Sequence, residues 1–289
     1  MILPAIAFWL TGCSQNHFHD TYYHYEMPRQ LSDGIAVDGI DRAGIDSNRI
    51  ASLSRLILAD SFPNIHSLLI ARNDKLVYEN YFPGEDENWG FHLGYAVHQA
   101  NTLHDVRSIS KSIVSACIGI SLMQKKIKNI DDPIFDYLPR YLQYKTEFNS
   151  HITIRHLLTM SSGIRWNEDN PHQESMNSET QMEKSSDPVA YTLALPQMEK
   201  PGMRWQYNSG GVQVLAAIIK QVSGDDIDQF ADRYLFTPLG IKSFQWIKSQ
   251  PDFPAAASGL RLSSRDLLKI GLLYNTERKT NPSLPVDWM

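Results

Sequence analysis

The strongest constraint on how this chain can fold lies between Ser67 and Phe82, where two apolar, β-favouring runs flank a two-residue turn. Ser67-Leu-Leu-Ile-Ala-Arg72 and Lys75-Leu-Val-Tyr-Glu-Asn-Tyr-Phe82 are separated by Asn73-Asp74, and this pattern predicts a β-hairpin. A lone hairpin is marginal in water and must bury its face against further strands. The remaining chain nevertheless reads as predominantly helical. A helix of about three turns is predicted from Asp46 or Ser47, because Ile50, Leu53, Leu56 and Ile57 recur on one face. Further helices are predicted near 109–126, 153–160, 187–195, 210–222, 226–235 and 263–274, leaving 67–72 and 75–82 as the only strands expected.

Composition sets the class. The 289 residues are 42% hydrophobic and 20% charged, with a net charge of −5, which excludes disorder, collagen and a disulfide scaffold. Mild acidity without a Lys/Arg block gives no attraction for a polyanion, so nucleic acid is not an expected partner. The two cysteines have different contexts. Cys117 lies in the apolar run Ile113 to Ile120 and reads as a small buried hydrophobe. Cys13 closes a short apolar N-terminal stretch, too brief for the roughly 20 residues of a membrane span.

Leu10-Thr11-Gly12-Cys13 resembles the lipobox of bacterial lipoproteins, in which cleavage before the Cys leaves that residue lipidated at the new N-terminus. The resemblance implies a signal peptide over 1–13 and export. It also implies a lipid anchor through Cys13 as the sole membrane attachment, with Ser14 pointing to the periplasmic side of an outer membrane. Residues 14–45 carry His17, His19 and His24 among tyrosines, then Gly34, Gly39 and Gly44 without an apolar period, and read as a tether. His17-x-His19 lacks a third placed ligand for a metal. The folded domain is expected over 46–289.

Two segments suggest chemistry. Ser108-Ile-Ser-Lys111 opens an apolar helix, where residues i and i+3 share a face and bring Lys111 beside Ser108, whereas Ser110 does not face Lys111 in the same way. A neutral lysine amine there can activate the hydroxyl, and the helix N-terminus favours a developing alkoxide. Taken alone, about one Ser-x-x-Lys arises by chance in a chain of this length. The second segment, Pro201-Gly-Met-Arg-Trp-Gln-Tyr207-Asn208-Ser209-Gly210-Gly211, is a turn-rich loop entering a helix, and places Tyr207 where a phenol can exchange protons with a leaving group.

These segments occur in a recognisable order. Asp105-Val-Arg-Ser108-Ile-Ser-Lys111, Asp131-Asp-Pro-Ile-Phe-Asp-Tyr-Leu-Pro139, Ile152-Thr-Ile-Arg-His-Leu-Leu-Thr-Met-Ser-Ser-Gly163, Tyr207-Asn-Ser-Gly210 and Gly259-Leu-Arg-Leu-Ser-Ser-Arg-Asp266 together resemble the serine β-lactamase-related hydrolases. The look is nearest to the 6-aminohexanoate-dimer hydrolase branch. The resemblance implies an α+β, β-lactamase/transpeptidase-like fold: an antiparallel sheet flanked by helices, with a helical domain beside it. It further implies Ser108 as the acylated nucleophile, Lys111 as its base and Tyr207 as the proton shuttle to the leaving group. The substrate would be a small-molecule amide or ester, or a peptide, and the mechanism calls for no cofactor.

The chain departs from that pattern twice. Ser209 stands where class C β-lactamases have the Asn of Tyr-x-Asn, and no Lys/His-Ser/Thr-Gly tripeptide follows; Lys279-Thr280-Asn281 is the near miss. The ending at Leu284-Pro-Val-Asp-Trp288-Met289 resembles the segment before the family's last strands. The C-terminal strands are therefore expected to be truncated and activity impaired. Two other readings stand beside the hydrolase: a truncated pseudoenzyme lipoprotein that binds cell-wall fragments or a partner without cleaving them, and a helical interaction protein. The polar stretch 164–186 reads as a lid or a disordered excursion. Oligomeric state is not legible.

Overall fold

The computed structural model describes residues 24–169 and 174–275. Cys13, the His17/His19 pair, and the stretch containing Lys279 and Trp288 lie outside the described residues.

The hairpin forms as expected. β2 (Ser67–Arg72) and β3 (Lys75–Tyr81) pair antiparallel, and the turn residues Asn73 and Asp74 both take positive φ, 52° and 62°. Asn and Asp tolerate that region, and the resulting twist suits the strands. On the other side of β3, β1 (Ala36–Val37) adds in parallel, giving the order β1-β3-β2. The helix α1 (Ser47–Leu58) begins where predicted, with Asp46 accepting a hydrogen bond from the Asn48 N–H at 2.9 Å.

The neighbours that a lone hairpin lacks are present, correcting the expectation of two strands only. β6 (Leu103–Asp105), β10 (Leu260–Ser263) and β7 (Gln245–Trp246) form a second antiparallel sheet in the order β6-β10-β7. Two more hairpins, β4 (Gly84–Asn88) with β5 (Phe91–Ala96) and β8 (Lys248–Gln250) with β9 (Phe253–Pro254), complete the strands of the described residues. Apart from β5, these elements are two to five residues long, too short for alternation to stand out.

The tether reading also needs correction from residue 24 onward. Tyr25 donates its hydroxyl proton to the Val77 carbonyl at 3.1 Å and accepts from the Ile40 N–H at 2.8 Å, and Ile40 is fully buried. A few widely spaced anchors hold this segment on the hairpin. Without periodicity, they look like linker in sequence.

The helical part comprises α2 (Ser110–Met123), α3 (Ile154–Leu158), α4 (Ser178–Lys184), α5 (Pro188–Ala194), α6 (Ser209–Ser223), α7 (Ile227–Ala231) and α8 (Ser264–Leu273). A π-helical turn over Asp232–Phe236 continues α7, which explains an apolar period running to 235. The main core gathers Ile113, Val114, Cys117 and Ile118 of α2 against Val214, Leu215, Ile218 and Ile219 of α6, all at most 2% exposed. Each such aliphatic side chain contributes roughly 1.5–3 kcal/mol on burial. Cys117 is among them, and burial pushes its thiol pKa up. It is packing, not chemistry. Among the described residues, no helix is long and apolar enough to cross a membrane.

Candidate active site

Ser108 sits in a single 3-10 turn, Arg107–Ile109, immediately before α2, and its side chain is exposed. The preceding residue, Arg107, has φ of 46°, a left-handed conformation that costs energy for a non-glycine residue and is characteristic of functional turns. Ser110 is fully buried; its hydroxyl donates to the Arg107 carbonyl at 2.6 Å and accepts from the Leu260 N–H at 3.3 Å. One serine of the pair thus ties the turn to β10, and the other is left facing solvent.

Lys111 lies one turn on. Its Nζ is 3.0 Å from Ser108 Oγ and 3.1 Å from the Ala257 carbonyl, which accepts from it. The backbone leading to that carbonyl is held by Gln213 of α6. Gln213, 3% exposed, donates to the Pro254 carbonyl at 3.0 Å and accepts from the Ala256 N–H at 3.0 Å. Lys111 Nζ also lies over the Tyr207 ring, 4.9 Å from its centre. Among the described residues, no hydrogen bond joins the Tyr207 hydroxyl to Ser108 or Lys111; the face of the phenol, not its oxygen, meets the lysine.

Tyr207 is positioned by a loop stitched to a second sequence segment. Met198 and Gly202 donate their N–H groups to the Gly163 and Ser161 carbonyls at 2.8 Å, and Gln206 does so to the Met160 carbonyl at 2.8 Å. Gly163 has φ of 75°, and a Cβ there would lie 2.2 Å from the Glu199 carbonyl oxygen, so only glycine fits. The next residue after Tyr207, Asn208, caps α6 by accepting from the Gly211 N–H at 2.9 Å. Ser209 donates both its N–H, at 2.7 Å, and its hydroxyl, at 3.0 Å, to Glu168.

Ser108 opens onto a cleft of about 240 Å³ lined also by Trp89, Arg107, Glu179, Glu183 and Ser258. The two glutamates come from α4, inside the stretch read as a lid or disordered excursion; Asn177 caps that helix by accepting from the Thr180 N–H at 2.9 Å. Burial, reinforced by Glu179, pushes the Glu183 carboxyl up to about 7, against the lowering effect of the Ser258 hydroxyl that donates to it at 3.1 Å. Glu179 is raised too, by burial and then by Glu168. Sequence reasoning missed Glu168, Glu179 and Glu183. The available signal was Asn177 followed by a seven-residue helical run.

With this geometry in view, similarity to known proteins is decisive on kinship. The sequence matches the Beta-lactamase family over residues 64–283. The chain belongs to the beta-lactamase family. Members of this family are serine hydrolases. This beta-lactamase-family chain is 27% identical over 194 residues to the "Putative penicillin-binding protein PbpX" of Bacillus subtilis, covering 67% of the chain and 44% of that relative. The chain spans less than half the length of the curated relatives it matches. In structure it resembles the "Putative 6-aminohexanoate-dimer hydrolase from Bacillus anthracis", with a TM-score of 0.64 and 19% identity over 80% of this chain and 60% of that one. It also resembles an octameric penicillin-binding protein homologue from Pyrococcus abyssi, with a TM-score of 0.60 and 22% identity over 81% and 57% of the two chains. The β-lactamase/transpeptidase-like α+β fold expected from the sequence is therefore the fold observed.

Proposed function

We propose that this chain is a serine hydrolase that cleaves an amide or ester through an acyl-enzyme. The observation that carries the reading is the 3.0 Å separation of Lys111 Nζ from the exposed Ser108 Oγ at the start of α2. Lys111 takes the Ser108 proton as the oxygen attacks the substrate carbonyl. The oxyanion that forms is stabilised by the Ser108 N–H and the N-terminal end of α2. Collapse breaks the carbonyl carbon's bond to the leaving nitrogen or oxygen, which takes a proton through Tyr207. Water then attacks the acyl-enzyme and restores Ser108. For Tyr207 to act, its hydroxyl must turn toward the lysine that its ring now faces.

Charge in the cleft narrows the substrate. The carboxyls of Glu179 and Glu183 line one wall, and the Arg107 guanidinium is paired with Glu87. With Glu183 protonated below about 7 and ionised above it, an anionic acyl group suits this wall least. Export and anchoring through a lipidated Cys13 belong to the same proposal. Radiolabelled palmitate incorporation lost in Cys13→Ala tests that part.

The hydrolase reading is tested by intact-mass analysis after exposure to a serine-reactive fluorophosphonate. A single adduct, absent from a folded Ser108→Ala variant, is the expected result. Absence of any adduct on the folded protein would instead favour a pseudoenzyme that binds cell-wall fragments or a partner without turnover. That second reading is favoured by one observation: the Tyr207 ring, not its hydroxyl, lies against Lys111.

A further inference from the structure

Away from the Ser108 cleft, three imidazoles meet. His66 immediately precedes β2, His98 lies in the loop between β5 and β6, and His104 is the middle residue of β6. One ring nitrogen from each lies within 4.8 Å of the other two. Nδ1 of His66 and Nδ1 of His104 are 3.2 Å apart, close to the roughly 3.3 Å edge of a tetrahedron with metal–nitrogen bonds of about 2.0–2.1 Å. None of the three lines the Ser108 cleft.

The nitrogens need a partner. His98 is 3% exposed, and neither of its ring nitrogens has a hydrogen-bond partner among the described residues; Nε2 of His104 is also buried without one. Buried polar atoms are rarely left so, and each one lacking a partner destabilises the fold. A cation held with Nδ1 of His66 and Nδ1 of His104 would supply a partner for one nitrogen of His98.

The surroundings fit a metal-binding imidazole set. Nε2 of His66 lies 3.0 Å from the Glu85 carbonyl and 3.2 Å from Asn64 Oδ1. Donating a proton to that carbonyl fixes the tautomer that leaves a lone pair on Nδ1. Gly84 makes the space, since a Cβ there would lie 2.8 Å from Asn64 Oδ1 and 3.0 Å from the His66 ring. Burial first, then the neighbouring imidazoles, holds His104 down to about 4, and burial and His66 lower His98, so these rings are neutral and offer lone pairs at neutral pH. Asp86 favours added positive charge at both rings, while Arg261 opposes it at His104. The rings of His66 and His98 stack with centres 3.9 Å apart. A coordinated metal lies near the plane of each ring, so on binding a metal His98 would have to leave this stack.

We propose that His66, His98 and His104 form a divalent transition-metal site, with zinc the cation that three imidazoles and an open fourth position fit best. The site would tie the start of β2 to β6, four residues before Ser108. Titrating the metal-stripped full chain with Zn²⁺ by calorimetry, and with Co²⁺ by visible absorption, tests it. The expected result is one cation per chain, the d–d bands of a four-coordinate nitrogen-rich site, and a raised thermal midpoint. His98→Ala and His104→Ala should abolish these signals, whereas a His17→Ala/His19→Ala double variant should keep them. A measurement on the unaltered chain guards against variants that fail to fold: Zn²⁺ should lower diethyl pyrocarbonate labelling of His66 and His104, mapped by mass spectrometry. No stoichiometric binding, binding that survives His98→Ala on a folded protein, binding lost only in the His17/His19 variant, or unchanged labelling would each overturn the proposal.

Discussion

Arg265 grips both carboxylate oxygens of Glu79, Nε at 2.7 Å and Nη2 at 2.8 Å, joining α8 to β3 across 186 residues of chain. The same guanidinium reaches Asp33 at 2.7 Å and the Arg29 carbonyl at 2.9 Å, so one side chain, 3% exposed, fixes the N-terminal segment on the domain. Removing one member of such a buried set leaves the partner charges uncompensated. Arg265→Met is expected to cost about 3–5 kcal/mol in urea unfolding. The exposed pair of Arg42 with Asp38 supplies the contrast, and Arg42→Ala should cost only a small fraction of that. Equal losses in the two variants would contradict the role given to Arg265.

In the acyl-enzyme mechanism proposed above, Gln213 would act on chemistry only through others. It holds the 254–256 backbone, next to the Ala257 carbonyl that accepts from Lys111, so in that mechanism Gln213 would be a positioning residue. Gln213→Leu keeps the size but drops both hydrogen bonds. Misplacing the amine by about 1 Å should slow acylation by roughly 100-fold. With substrate contacts intact, the loss should fall on kcat with KM little changed. A rise in KM with kcat unchanged would argue against it.

What the sequence revealed follows from where the periodic signal was strong. α2 and α6 carry long apolar runs, the Asn73-Asp74 turn announces β2 and β3, and motif order gave the fold and the meeting of Ser108, Lys111 and Tyr207. The β4–β5 hairpin was missed although Phe91, Leu93 and Tyr95 alternate, because its turn is Trp89-Gly90, with φ of 51° and 84°, and Trp is a poor predictor of that conformation. β6 and β10 are made by pairing between residues more than 150 apart, as in Arg261 with Asp105, and no local pattern encodes that, while β7 pairs with β10 nearby in sequence but is only two residues long. The acidic wall was hidden for a related reason. Glu179 and Glu183 share one face of a seven-residue helix, and only its packing reveals that this face is turned to Ser108. Likewise, His66, His98 and His104 have no spacing that announces a cluster.

Gly210 lies where α6 passes the Trp166 ring. A Cβ there would fall 2.5 Å from Trp166 Cζ3 and 2.7 Å from Thr192 Oγ1, and Trp166 is itself 2% exposed against Tyr191. Gly210→Ala should therefore destabilise by about 1–3 kcal/mol despite the gain in helix propensity. If the clash with the ring is the cause, Trp166→Leu should recover part of the loss in a double-mutant cycle. Additive effects of the two changes would assign the cost elsewhere.

Glu183 makes stability depend on pH in a direction opposite to that of a salt-bridged carboxylate. Its folded-state pKa is raised to about 7 from the ordinary 4.5, by burial and by Glu179. Between those values the folded chain holds a proton at this site that the unfolded chain has released, so stability falls as pH rises through the window. The contribution is full below the ordinary value and lost above about 7. Glu183→Gln keeps an uncharged side chain there at every pH. Urea midpoints at pH 5, 6 and 7.5 should thus decline less steeply in Glu183→Gln than in the unaltered chain, with the two proteins closest at pH 5. Parallel declines would show that Glu183 is not the group that titrates, and would move the assignment to its neighbour Glu179, where the same comparison with Glu179→Gln decides.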